Sequence, residues 1–118
     1  MNLEAAIREH TEWKVRLVLY INGSGRFDER SLGKAASCAL GSWLKQSHAR
    51  LFKYQEFQSV AQSHEKFHGI AEEVVQLVKQ QRLHEARQLV SADGAFTKVA
   101  AELSRELLYL KRRMAKAA

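Results

Sequence analysis

Apolar side chains recur every three or four positions along this chain, and three histidines stand where the pattern predicts an apolar residue. Such spacing puts the residues on one face of an α-helix, the face that packs against a core. An imidazole on that face needs a hydrogen bond or a metal ion, because burying it without a partner costs free energy. The first two series are Leu3, Ala6, His10, Trp13, Leu17 and Tyr20, then Phe57, Ala61, His64, His68, Ala71, Val75 and Val78.

Periodic segments separated by short breaks, in a chain of 118 residues without proline, predict one all-α domain over residues 1–118. Amphipathic helices with short connections favour an antiparallel four-helix bundle. An Asn-Gly-Ser-Gly turn at 22–25 ends the first helix, Ser47 to Lys53 is expected to be the least regular stretch, and Gly94 is a candidate bend. The predicted helices run from about Leu3 to Tyr20, from Asp28 or Ser31 to Lys45, from Tyr54 to Lys79, and from Leu83 to Lys116.

Two histidines of the second series and the single cysteine indicate a metal site. His64 and His68 are four residues apart, so both project from one helical face about one turn apart. With His10 and Cys38 they provide three imidazoles and one thiolate, enough to bind one tetrahedral Zn²⁺. The plainer interpretation is that each histidine is a hydrogen-bonded core residue and the cysteine a small buried hydrophobe. The joint pattern favours zinc, and four protein ligands leave no open catalytic position, so we expect no enzymatic activity.

The remaining histidines, His48 and His84, lie off both series and are expected at the surface. Trp13 and Trp43, which follow the first histidine and the cysteine, are core anchors that could also line the site. Several acids are open alternatives for accepting a hydrogen bond from a ligand imidazole, namely Glu12, Asp28, Glu65 and Glu72.

The composition of the chain indicates where in the cell the protein is located and which classes of partner it binds. One cysteine excludes an internal disulfide, so a reducing cytoplasm is the expected location. No segment approaches the roughly 18 consecutive apolar residues of a membrane span, and charges interrupt the N-terminal segment where a signal peptide would be apolar. The net charge of +6 comes without a motif for reading a nucleic-acid groove, so we expect neither nucleic-acid binding nor membrane insertion. The one basic cluster is Lys111, Arg112, Arg113 and Lys116.

Three motifs, in chain order, resemble the chemoreceptor zinc-binding (CZB) domain: His10-x-x-Trp13, Cys38-x-Leu40-Gly41-x-Trp43 and His64-x-x-x-His68. The similarity extends from about Glu4 to Leu110. It implies a helical bundle that often dimerises and that binds zinc through the three histidines and the cysteine. It also implies a cytoplasmic sensory module of bacterial signalling, attached to chemoreceptors or diguanylate cyclases, whose output follows zinc occupancy or oxidation of the bound cysteine. Ala39 and Ser42 stand where the family often has basic residues.

Two partners are expected. One is a second copy of the chain in a two-fold homodimer, because the apolar series of the last predicted helix continues close to its free end. The other is an effector or signalling domain, in cis or in trans, because the chain shows no cyclase signature and no long receptor hairpin. It is then either a fragment of a larger signalling protein or a standalone sensor. That last series is Phe96, Ala100, Leu103, Leu107, Leu110 and Met114.

Two other functions are alternatives. A hemerythrin-like di-iron bundle that binds oxygen has a similar size, and His68 with Glu72 supplies one histidine–carboxylate pair. A dinuclear site of that kind needs carboxylates from several helices, which the first and last series do not offer. A metal-free helical adaptor would instead use the last helix to pair with another chain. The metal content of the purified protein distinguishes both from a zinc domain.

Overall fold

The computed structural model describes residues 1–24 and 38–117, and every regular element in those two stretches is an α-helix. The all-α prediction is therefore confirmed for that part of the chain. None of its helices is long and apolar enough to cross a membrane. In chain order the helices are α1 (Leu3–Ile21), α2 (Ala39–Leu51), α3 (Gln55–Lys79), α4 (Leu83–Val90) and α5 (Ala95–Ala117).

The first and third predicted helices are confirmed with their ends displaced by no more than one residue. Asn2 caps the start of α1, where its side-chain oxygen accepts a hydrogen bond from the Ala5 N–H at 3.0 Å. Just beyond the other end of α1, Gly23 adopts a φ of +86°, which glycine tolerates and most residues do not. The predicted turn is thus present at its first two residues, and Gly25 lies outside the described residues.

The second helix differs from its prediction. The expected start at Asp28 or Ser31 lies outside the described residues, and α2 as described begins at Ala39. Because α2 continues through Leu51, the expectation of an irregular stretch from Ser47 to Lys53 is wrong for most of that segment. The helix persists because it buries one face with helical spacing. That face consists of Leu40, Gly41, Leu44, Ser47 and Leu51.

The long helix predicted from Leu83 to Lys116 is in fact two helices, α4 and α5. The chain turns so tightly at Gly94 that a Cβ atom added there would lie 2.3 Å from main-chain carbonyl oxygens of α4. The Thr97 hydroxyl donates a hydrogen bond to the Ser91 carbonyl at 2.6 Å, which fixes the start of α5 against the end of α4. The glycine therefore marks a full break and not a bend.

Helix α5 packs against both α1 and α3. Ion pairs join Lys111 to Glu4 and Arg113 to Glu56, so the end of α5 lies beside the beginnings of α1 and α3. Helix α2 packs on α3. Helix α1 also packs on α3, so the metal-site prediction concerns residues of α3 and of the two elements packed against it.

The apolar series of α5 is used inside the chain. Leu107 and Leu110 are fully buried, and Met114 is half-buried. The argument that Leu107 and Leu110 are left over for a second copy is therefore wrong, because both are already buried within the chain. The expectation of a dimer needs a different surface.

Candidate metal centre

Four side chains from three separate elements converge inside the chain. The ligand atoms of His10, Cys38, His64 and His68 all lie within 4.8 Å of one another. The cysteine Sγ is 3.0 Å from Nε2 of His64 and 3.9 Å from Nε2 of His10, and the Nε2 atoms of His64 and His68 are 3.0 Å apart. The structure thus brings together the four residues that the sequence singled out, from α1, from the start of α2 and from α3.

The cluster is largely excluded from water. His10 is 3% exposed, and His64 and His68 are each 1% exposed, while Cys38 is half-buried. The Trp13 ring lies 4.9 Å from the ring of His68, so it lines the cluster. Phe67 adds a second aromatic wall, with its ring centre 5.1 Å from that of His10. Trp43 packs instead against Phe57 on the α2 side.

The orientation of the His10 ring is set by its own helix. Its Nδ1 lies 2.8 Å from the carbonyl oxygen of Ala6. Because a carbonyl can only accept, Nδ1 carries the proton, and in the neutral ring Nε2 keeps a lone pair. Nε2 is also the ring nitrogen of His10 that faces Cys38 Sγ, so its lone pair points into the cluster. The sequence analysis left four acids open as hydrogen-bond acceptors for the ligand imidazoles. For His10 the acceptor is instead the main-chain carbonyl of Ala6, and the sequence does not indicate such a group because every residue has one.

Cys38 is also the N-cap of α2. With φ −91° and ψ 162°, it places Sγ 3.4 Å from the Gly41 N–H, which donates to the sulfur. Burial raises the pKa of the Cys38 thiol, and the N–H groups of Gly41 and Leu40 act in the opposite direction. A metal ion must therefore displace a proton from this thiol, and the helix start helps to stabilise the thiolate that results.

Two of the three histidines, His10 and His64, are in the protonation state that metal binding needs. Burial, together with the charges that His68 and His10 would carry, lowers the pKa of His64 to about 3. Burial also lowers the pKa of His10, although the Ala6 carbonyl acts against this shift. Both imidazoles are therefore neutral at pH 7 and hold lone pairs available for coordination.

The donor set fits a tetrahedral ion. Bond lengths of about 2.0–2.1 Å to nitrogen and 2.3 Å to sulfur place neighbouring ligand atoms about 3.3–3.6 Å apart. Three of the six distances between ligand atoms, from 3.0 to 3.9 Å, bracket that range, and the remaining pairs lie within 4.8 Å. Without an ion, these contacts would be hydrogen bonds among the thiol and the neutral imidazoles, whereas a metal ion would use the lone pair of all four donors at once.

The cluster contains no carboxylate among the residues that the structure describes. Glu72, which follows His68 by one turn, is exposed to solvent. The pair that suggested a di-iron site is thus not part of the buried cluster. A carboxylate-bridged dinuclear site of the kind found in helical bundles is therefore disfavoured.

Together the fold and the cluster define a helical metal-binding module. The family model described as the chemoreceptor zinc-binding domain matches residues 10–75. That match covers more than half of the chain and includes all four clustered residues, so the chain belongs to the chemoreceptor zinc-binding (CZB) family. The match lies within the range from Glu4 to Leu110 over which the sequence resembles the family. Searches of curated proteins and of solved structures gave no match.

We expect the metal-free protein to lose stability as the pH falls from about 6.5 to 5. Because the pKa of His64 is lowered from 6.5 to about 3 in the folded chain, the unfolded chain takes up the proton first. The stability that depends on the neutral ring is thus present above pH 6.5 and lost below it, by about 2 kcal/mol at pH 5. Thermal melts in EDTA measure this loss. His64→Gln should flatten the dependence, and a flat wild-type profile would contradict the burial of neutral histidines.

Proposed function

We propose that this chain is a zinc-binding sensory domain of bacterial signalling that holds one Zn²⁺ through His10, Cys38, His64 and His68. The observation that carries the proposal is the convergence of these four donors from three elements. One thiolate and three imidazoles suit zinc better than the hard, carboxylate-preferring ions. Family membership supports the same function, because the family is described as a zinc-binding domain of chemoreceptors.

The ligand set supports a regulatory role in preference to a catalytic one. Zinc enzymes keep a coordination position open for water or substrate, whereas structural and regulatory sites fill all four positions with protein atoms. Here four protein donors are available within one cluster. All three imidazoles are also buried, as is usual for a site that protein atoms close. We therefore assign no catalytic residue and no enzymatic activity to this site.

The cluster suggests how a signal arises. Bound zinc would hold the cysteine as a thiolate and link α1, α2 and α3 through one centre. Cys38 is the ligand from α2, and it is also the residue that caps the start of that helix. If the thiolate leaves, three imidazoles on α1 and α3 remain as ligands and the start of α2 is released from the centre. Zinc supply and oxidation of the thiolate both act through this step.

We propose a cytoplasmic setting and an output through a chemoreceptor or a diguanylate cyclase, joined to this domain in cis or acting in trans. An antiparallel four-helix bundle suits that role, with α4 and α5 together forming an interrupted fourth member. The contacts from the end of α5 to Glu4 and Glu56, near the starts of α1 and α3, support opposite directions for these helices.

Metal content tests this function. Protein purified without a His tag should carry about one zinc ion per chain, because all four ligands come from the same molecule. Elemental analysis measures it directly. Iron in place of zinc would revive the di-iron alternative, and the absence of any metal would favour the metal-free adaptor.

We further propose that the chain forms a two-fold homodimer. Val15 and Leu19, one turn apart on α1, are 62% and 46% exposed, which is high for apolar side chains on one helical face. Sedimentation velocity at high micromolar concentration should show a dimer. Replacing both residues with lysine should shift the protein towards monomer, whereas Phe52→Lys, at another exposed apolar position, should not. A wild-type protein that stays monomeric would contradict the proposal.

A further inference from the structure

Positive charge is concentrated at one end of the molecule, away from the histidine–cysteine cluster. Three adjoining hollows of about 230, 340 and 360 Å³ lie there, around the last turns of α5. The charged side chains that line them comprise six cations and two carboxylates, Glu4 and Glu56. We call this surface the basic end, and its cations are Arg50, Lys53, Lys111, Arg112, Arg113 and Lys116.

Much of this charge is not neutralised within the chain. Glu4 is paired with Lys111, and Glu56 with Arg113. The other four cations of the basic end are exposed, and within residues 1–24 and 38–117 none of them forms an ion pair with a carboxylate, although the charge of Lys116 also acts on Glu56. Like charges held this close repel one another, so an acidic partner would gain electrostatic attraction without displacing an internal ion pair.

The basic end also has an apolar centre. Met114 is half-buried and lines two of the three hollows. Leu3 and Leu51 border the same hollows, and the Tyr109 ring is 46% exposed in the third. Aliphatic side chains in concave positions, surrounded by cations, match a binding partner that carries apolar residues among carboxylates.

We propose that the basic end docks an acidic amphipathic helix of a partner protein, with apolar side chains of that helix seated beside Met114 and its carboxylates facing Arg112 and Lys116. A membrane surface fits less well, since lipid binding relies on apolar side chains that protrude, and Leu3, Leu51 and Met114 are recessed although Met1 and Tyr109 are exposed. A nucleic-acid backbone would leave the aliphatic centre without a partner. The proposal concerns a surface outside the metal cluster and holds whether or not zinc is bound.

The test uses the full chain and a fluorescent synthetic helix of about 18 residues, with leucine at helical spacing and glutamate elsewhere. Fluorescence anisotropy should show saturable binding that weakens as salt increases. The double variant Arg112→Glu with Lys116→Glu should weaken binding by about tenfold or more. The matched control, Arg87→Glu with Lys98→Glu, changes the net charge equally but alters exposed residues on α4 and at the start of α5, so it should change affinity by less than about twofold.

Further binding measurements decide between partners. Met114→Gln should weaken binding of the amphipathic helix but not of a scrambled peptide with the same composition. Equal binding of both peptides to the wild type would overturn the apolar part of the proposal. Equal loss in the two charge-reversed variants would overturn the assignment to the basic end. Tighter binding of a short DNA duplex, or of phosphatidylserine vesicles, through the same arginine and lysine would overturn the choice of a protein partner.

Discussion

Replacing His64 or His68 with alanine should abolish most of the stabilisation that zinc gives to the protein. Both side chains are 1% exposed, and their Nε2 atoms lie 3.0 Å apart within the cluster. At free zinc about a hundredfold above its Kd, the wild type should gain about 3 kcal/mol, which raises Tm by about 10 °C or more. The variants should gain less than about 2 °C at the same zinc concentration. Melting curves in EDTA and in zinc-buffered solution provide the comparison.

His84→Ala is the control for these variants. His84 is exposed on α4. Its Nε2 lies 3.2 Å from the side-chain amide of Gln88 on the same helix. The control should keep the full zinc response. If His64→Ala and His68→Ala keep it as well, these histidines are core residues and do not bind the ion.

Replacing Cys38 with alanine should weaken zinc binding by at least about a hundredfold, more than the loss of a residue outside the ligand set usually costs. Three imidazoles would remain, with water in the fourth position. The variant should also lose its response to oxidant, because the chain has no other thiol. In the wild type, hypochlorous acid transfers its oxygen to the thiolate, giving a sulfenic acid and chloride. Zinc release and hydrogen exchange in α2, with and without oxidant, measure both effects.

A serine at this position separates the two roles of the cysteine. Cys38→Ser keeps an oxygen that can accept from the Gly41 N–H and so cap α2, but it removes the thiolate. The α2 amides should therefore exchange hydrogen more slowly in Cys38→Ser than in Cys38→Ala. Cys38→Ser should also release no zinc in response to oxidant. Equal zinc release from wild type and Cys38→Ala under mild oxidant would contradict the redox role. Unchanged zinc affinity in Cys38→Ala would mean that the sulfur is not a ligand.

Local periodicity was sufficient to find α1, α3 and the buried histidines. A polar residue on an apolar series must be buried with its neighbours, and the structure buries His10, His64 and His68 as that argument requires. Cys38 was found by its chemistry, as the only thiol. Its position as the cap of α2 was not predicted, because the expected start of that helix was placed earlier in the chain.

Features that depend on three-dimensional packing were not predictable. The break at Gly94 depends on the close approach of two chain segments, whereas the sequence pattern continues through it. The burial of Leu107 and Leu110 depends on which helices cover α5. The partner of His10 is a main-chain carbonyl, and main-chain groups are the same at every position. Each of these three features is determined by how chain segments pack together and not by the chemistry of a single side chain.

X-ray absorption at the zinc edge tests the central claim most directly. Protein purified without a His tag, carrying about one zinc per chain, should show one sulfur at about 2.3 Å and three nitrogens at about 2.0–2.1 Å from the metal. The His84→Ala protein should give the same spectrum, and Cys38→Ala should lose the sulfur. A zinc spectrum without sulfur in the wild type, or with oxygen ligands in place of imidazoles, would contradict binding by His10, Cys38, His64 and His68.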